Sequence, residues 1–569
     1  MGALGRLSTN SSIASPTFLQ RLAAVLPKDI NFKIYHISTP PSRTTALYPA
    51  PPGDRPDRTF CESHFLTASI EVPSKSDALR TIEVLVFAIE ILIYSTAYST
   101  TFFVSKADST GYLHLLNLPK GTVSPLRVIS ATFLEYLGES RQRNNIQSVI
   151  SLFARAQDQY LFPGSVEYSG KHVLDDRGLV KWWCRVLNPL IEGTRITQHA
   201  KQSPWENVGG YLIIPGLDTY ETKSYVPRGT KATWTMGHPL SENSRHGSTV
   251  PPRCLIPHFP DDPKSRYLDE LDEEINKRRD NGSGHWKSVS SVEQFWDMMA
   301  FRQECSAGRL VGFIWIVFRP VATTKTLEFE KGYRQSTETT ILSQTWNDDD
   351  TLPPLPKLAL NSASSFQALS QLPIHRCPAK HAELDKSLSS SQPSSRSTKT
   401  STVSKDRKKK LTGPITPRQP RIKTENKSYL LERPVSSPYY EWREQGRGQV
   451  IVEESDYKRV TELILRLDFA NLDIASSSSQ RWTNEVRSAA PAVMKQSWGR
   501  VVTGTLVLES EEKASAARVN TLNLGLVRKR RKADDAAGQT PPVIAGKASA
   551  GSPAVNDISA GLIRKKPKV

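Results

Sequence analysis

The apolar run from Val84 to Tyr94 is eleven residues long with Glu90 inside it. That is too short to cross a bilayer, and its β-branched content predicts a buried strand. The strand should begin at Ile82 and be followed by a second, Thr101 to Lys106, ending where Ala107-Asp108-Ser109-Thr110-Gly111 predicts a turn. Val149, Leu152, Phe153 and Ala156 then fall at helical spacing and predict a helix from Ser148 to Tyr160. Another helix should begin after Asp175-Asp176, carry Leu179, Trp182, Trp183, Val186 and Leu187, and end at Pro189. Val292 to Cys305 reads as a helix and Leu310 to Phe318 as an interior strand. Strands interleaved with helices predict one large α/β domain.

The main part of that domain is expected to span residues 1–320. Phe18, Leu19, Leu22, Ala23 and Leu26 make a short amphipathic stripe running into Pro27, which reads as its first helix. Residues 321–435 are dense in Ser, Thr, Pro and Lys without apolar periodicity, and read as a low-complexity disordered insertion. Residues 436–527 should complete the domain, with Tyr439-Tyr440-Glu441-Trp442 and a helix from Asp456 to Leu472 carrying Val460, Leu463, Ile464 and Leu467. Residues 528–569 form a basic tail.

Charge points to the partners. Lys and Arg total 75 against 57 acidic residues, a net charge of +18 in 569 residues, so polyanions or acidic proteins are the expected company. Arg407-Lys408-Lys409-Lys410, Arg528 to Lys532 and Arg564 to Lys568 are basic tracts of the kind that serve nuclear import or nucleic-acid contact. The five cysteines are odd in number and scattered without a C-x-x-C pair, which argues for a reducing compartment and no zinc. No phosphate-binding loop, nucleophile elbow or H-E-x-x-H motif is present.

Chemistry concentrates in three clusters. The first is Phe103-Val104-Ser105-Lys106-Ala107-Asp108-Ser109. The second runs from Phe153 through Arg155, Gln157 and Tyr160 to Gly164, and continues at Lys171-His172-Val173-Leu174 and Lys181-Trp182-Trp183. The third is Phe259-Pro260-Asp261-Asp262-Pro263-Lys264, where a loop should become a helix with Pro263 at its first position. An N-cap role would account for Asp262 on its own.

In order and spacing these clusters resemble the fungal Rtt-type histone H-three lysine acetyltransferase family, a likeness covering most of the chain. The resemblance implies a mixed central sheet wrapped by helices, similar to the metazoan coactivator acetyltransferases, with acetyl-CoA as cosubstrate and no metal. By that resemblance, Ala107, Asp108, Ser109, Phe153, Gln157, His172, Val173, Leu174 and Trp182 border acetyl-CoA. Tyr160, Trp183, Asp108, Asp261 and Asp262 line the lysine end, and Lys264 is a lysine the enzyme acetylates on itself. It also implies a nuclear enzyme of replication-coupled nucleosome assembly and the DNA damage response. Its partners would be histones H-three and H-four and histone chaperones, with no membrane and no main role in direct DNA binding.

A substrate lysine near pKa 10.4 must lose a proton before attacking a thioester. Asp262 is the expected acceptor and Asp261 the holder of the incoming ammonium. The alternative function is a non-catalytic histone- or DNA-binding scaffold whose working parts are the basic tracts.

Overall fold

The structure, a computed structural model, describes residues 16–74, 79–193, 205–278, 284–302, 305, 309–321, 428–490, 495 and 498–507. The expected insertion is outside the described residues from 322 to 427, as are the basic tracts, the tail and Val519 to Leu522, which the resemblance implies is a terminal strand. Residues 428–435, assigned to the insertion from sequence, are described, and Leu430 packs beside Trp442.

Eleven strands among the described residues form one mixed sheet. They are β1 (Asn31–Ser38), β2 (Ser42–Thr44), β3 (Thr59–Pro73), β4 (Thr81–Ser95), β5 (Ser99–Ser109), β6 (Gln147–Ala154), β7 (Trp205–Ile213), β8 (Trp234–Met236), β9 (Gly312–Pro320), β10 (Val450–Ile451) and β11 (Arg500–Thr503). The order is β10-β1-β3-β4-β5-β6-β9-β7-β8, with β11 on β1 and β2 on β3. The β5–β6, β7–β8 and β1–β10 pairs are parallel. The longer helices are α1 (Phe18–Val25), α2 (Pro125–Ser140), α3 (Asp176–Glu192), α4 (Pro263–Arg278), α5 (Val292–Met299), α6 (Glu454–Ile464) and α7 (Leu472–Ala489). This is the expected α/β architecture, a mixed sheet wrapped by helices.

The apolar run lies at the centre of β4, where Val84 to Ile91 are buried throughout. The segment Ser148 to Tyr160 is not a helix. Gln147–Ala154 is β6, hydrogen-bonded to β5 on one side and β9 on the other. Burial on both faces lets apolar residues stand at any spacing, so a helical period there carries no information. α3 passes through Pro189, which forgoes one helical hydrogen bond near the end of the helix, and the helix ends at Gly193 with φ +65°. α5 stops at Met299 instead of Cys305. The expected helix Asp456 to Leu472 is two: α6 ends at Ile464, and Asn471 caps α7 by accepting from the Ile474 N–H at 3.0 Å. The turn expected at residues 107–111 is displaced, since β5 continues to Ser109.

A buried polar chain ties the segment after residue 428 to the sheet. Glu62 on β3 accepts from the Arg141 Nε at 2.9 Å and from the His64 Nε2 at 2.9 Å, leaving His64 Nδ1 to accept from His36 Nε2 at 2.9 Å. Arg141 Nη1 donates to the Gln445 carbonyl at 3.0 Å. Burial pushes both histidines below their usual range; His64 and Arg141 add to this at His36, while Glu62 opposes it at His64. Burial works the other way on Glu62, but Arg141 and His64 hold it down to about 2. The unfolded histidines take up protons near pH 6.5 and the folded ones do so only lower. Stability is therefore expected to be full above that point and to fall as pH drops through it, by at most ~1.4 kcal/mol per pH unit per histidine. Urea titrations from pH 7.5 to 5 on wild type and His36→Leu check this; equal slopes would remove the histidines from the account.

Candidate active site

β5 and β6 run parallel only as far as the Val104–Leu152 pair. Beyond it β5 stays with β4 to Ser109 and β6 with β9 to Ala154, so the two ends part. A cavity of about 460 Å³ opens between them, closed by residues 170–174 and the first turns of α3. Ligand sites commonly form at the carboxyl ends of neighbouring parallel strands. Ala107, Asp108, Ser109, Phe153, Gln157, Tyr160, His172, Val173, Leu174, Trp182 and Trp183 all line this cavity. Asp261, Asp262 and Lys264 are not among its lining residues.

Asp108 organises the wall. Its Oδ2 accepts from the backbone N–H groups of Tyr160, Leu161 and Phe162 at 2.7, 2.9 and 3.3 Å. Its Oδ1 accepts from Lys171 Nζ at 3.1 Å and from the Ser109 N–H at 2.7 Å. The carboxylate is thus committed to protein donors, and its part is to hold two loops against β5. Gly111 (φ +92°) permits the same approach, because a Cβ there would stand 2.5 Å from the Lys171 Cα. Asp176 does a similar job opposite, accepting from the Ala156 N–H at 2.8 Å and the Leu310 N–H at 3.1 Å.

Trp182 and Trp183 meet edge to face at 4.9 Å, Trp183 buried and Trp182 part-exposed to the cavity. The Tyr160 hydroxyl donates to the Arg155 carbonyl at 3.1 Å, and burial pushes its pKa up to about 12, so it stays a neutral donor. Sequence reasoning missed Lys171 as the partner of Asp108 and left Arg155 open. Arg155 lines the cavity, and its buried Nε has no partner among the described residues. Basic residues within a strand-end cluster were the only available signal.

The Phe259–Lys264 segment is pinned beside β5 by the stack of Phe259 on Phe103, 4.2 Å apart and 3° from parallel. Asp262 takes the capping position of α4, accepting from the Lys264 N–H at 3.1 Å. Its other oxygen pairs with Lys264 Nζ, and both side chains are fully buried. The Lys264 ammonium also faces the rings of Phe259 and Phe313 at 5.1 and 5.6 Å. Burial lowers its pKa, with Asp262 opposing. Asp261 is the contrary case. It stands exposed at φ +57°, a left-handed conformation uncommon outside glycine, and pairs with Lys106 Nζ at 2.8 Å. Lys106 lines the cavity, so Asp261 reaches its rim through that lysine. A β-bulge re-aims this stretch: Glu90 pairs with Lys106 and Ile91 with Val104, leaving Ser105 over.

Comparisons with known proteins identify the family. The sequence model of the histone acetyltransferase KAT11-type domain matches residues 18–148 and 140–485. The chain is 37% identical over 589 aligned positions to histone acetyltransferase rtt109 of Aspergillus flavus, covering 96% of this chain and 98% of that one. It is 36% identical over 235 positions to histone acetyltransferase rtt109 of Schizosaccharomyces pombe, covering 40% and 56% respectively. The crystal structure of Rtt109 from Aspergillus fumigatus matches with a TM-score of 0.60 at 35% identity, over 87% of this chain and 100% of that one. On the span of the family match and the full-length likeness, this chain is an acetyltransferase that belongs to the KAT11-type histone acetyltransferase family, in its fungal Rtt109 branch.

Proposed function

We propose that this enzyme transfers acetyl from acetyl-CoA to lysines of newly synthesised histone H-three, in the nucleus, during nucleosome assembly and the response to DNA damage. The observation that carries this reading is the cavity between the parting ends of β5 and β6, aromatic on one wall and reaching a carboxylate at its rim. Its donor set suits acetyl-CoA: Arg155 offers an unpaired N–H toward a phosphate, while Val173, Leu174 and Trp182 offer apolar surface to the pantetheine arm. The cosubstrate supplies an activated thioester. Tyr160 and Trp183 wall the lysine end and exclude water from it. Asp261 receives the incoming ammonium and, being exposed, passes its proton to solvent. Asp262, engaged by Lys264, acts by shaping the start of α4.

Lys264 is proposed as a site of self-acetylation. Burial already disfavours its charge, and acetylation removes it. Histone H-four would accompany the substrate, and acidic histone chaperones would meet the basic tracts at Arg407 to Lys410, Arg528 to Lys532 and Arg564 to Lys568.

Labelled acetyl-CoA incubated with purified enzyme and an H-three/H-four complex is expected to label H-three, and Asp261→Asn to reduce transfer at least about a hundredfold, the lower end of one general acid–base contribution. Mass spectrometry of the enzyme should find acetyl on Lys264 in the active form alone. Histones left unlabelled by wild type would defeat the proposal.

A further inference from the structure

Lys106 has no part in the chemistry above, yet it occupies the place where the substrate ammonium must arrive. Its Nζ lies 2.8 Å from Asp261, 3.4 Å from Glu90 and 3.5 Å from the Ser105 hydroxyl. Glu90 is a built alternative seat: its side chain is nine-tenths buried, and the Tyr457 hydroxyl of α6 donates to its Oε1 at 3.0 Å. A second cavity, of about 290 Å³, lies on the other side of Lys106, with Glu90, Pro260 and Tyr457 among its walls. Lys106 thus stands between two cavities, shared by two carboxylates, and has room to move off one of them.

We propose that Lys106 is a positioning residue that holds the Asp261 carboxylate between turnovers, withdraws onto Glu90 when a substrate lysine arrives, and by its neighbouring positive charge eases the deprotonation of that lysine. This rests on the acetyltransferase reading of Asp261 above. A cation beside an ammonium disfavours the charged form, which is how amines are activated next to other cations. No covalent step belongs to Lys106; the proton of the incoming lysine leaves through Asp261 to water.

The neutral and paired groups around this point do not supply the effect, and Arg155, the cation that also lines the first cavity, is the one assigned above to a phosphate of the cosubstrate. Burial holds Cys61 on β3 up at about 12 and raises Tyr94 on β4 and Tyr457 on α6, so all three stay neutral in the working range. Tyr160 across the first cavity is likewise neutral. Glu454 and Lys458 at the second cavity pair with each other, as do Asp108 and Lys171 at the first. Although burial opposes it, Glu90 and Asp261 keep the Lys106 pKa above its ordinary value, so its charge persists across the same range.

The test is the pH dependence of histone acetylation by wild type, Lys106→Met, Lys106→Arg and Glu90→Gln, with acetyl-CoA affinity measured separately by calorimetry. Lys106→Met is expected to lower the histone KM, because two uncompensated carboxylates attract the substrate. It should also lower kcat at pH 7.5 about tenfold and move the rise of kcat with pH up by about one unit, since the lysine then keeps its proton longer. Lys106→Arg keeps the charge and restores the wild-type profile. Glu90→Gln strands Lys106 on Asp261 and raises the histone KM. An unmoved profile in Lys106→Met, or an equal displacement in Lys106→Arg, overturns the proposal in favour of simple packing. Loss of acetyl-CoA binding by wild type would instead strike the functional reading itself.

Discussion

Replacing Asp108 with alanine is expected to cost acetyl-CoA affinity at least about a hundredfold and to be the most damaging single change at the cavity. Removing one partner of a buried ion pair costs about 3–5 kcal/mol. Lys171, only 5% exposed, is such a partner here. The Tyr160, Leu161 and Phe162 N–H groups lose their acceptor as well, at about 1–3 kcal/mol for each that stays buried and unpaired. Against a total stability of about 5–15 kcal/mol, the loops that wall the cavity should no longer hold their positions. Calorimetric titration with acetyl-CoA and a thermal melt check both halves. Because Asp108→Ala can fail to fold, Asp108→Ala with Lys171→Met is the second variant. It should regain part of the stability, having no stranded ammonium, without regaining affinity. Wild-type affinity in either variant would mean that Asp108 is a turn residue and nothing more.

The adjacent carboxylates should separate cleanly under substitution. Sequence alone makes asparagine look harmless to stability at both, since asparagine is itself a good cap. That expectation holds for Asp261, whose side chain is 67% exposed: Asp261→Asn should melt within a few degrees of wild type while losing transfer. Asp262→Asn strands the buried Lys264 ammonium, and a loss of about 3–5 kcal/mol is expected. The sign with pH is fixed by linkage. A buried lysine without a counter-ion binds its proton less tightly folded than unfolded, so the stability of Asp262→Asn should rise with pH toward the unfolded lysine value near 10.4. Adding Lys264→Met should recover most of the loss at neutral pH. Urea denaturation of the two single variants and the double variant, at pH 7 and 9, measures all of this. An Asp262→Asn protein as stable as wild type at both values would remove the ion pair from the account.

The central strand was legible because length and side-chain type suffice to identify it. Val84 to Tyr94 is too short to span a bilayer and too β-branched for a helix, and no tertiary contact was needed to say so. The capping position of Asp262 and the start of α3 were legible for the same reason, since caps act within a few residues of themselves, and α1 was legible from its apolar stripe. The cavity residues were legible as a set through their resemblance to a family, and the structure brings those of the first two clusters to one place.

What sequence could not disclose depends on partners far along the chain. The apolar spacing of Ser148 to Tyr160 fits a helix and a doubly buried strand equally, and only β5 and β9 decide between them. Asp108 reads as a turn residue until residues 160–162 and Lys171 arrive to bond it. Lys106 is a member of the first cluster without a role until a bulge aims it between Glu90 and Asp261. The sequence by itself thus determined the local choices, strand here and cap there, because their energies lie within a turn or two of chain. Which carboxylate is exposed and which is bound to a buried lysine was decided only by the tertiary structure, because burial and ion pairing are properties of neighbours that the chain brings together from many residues away.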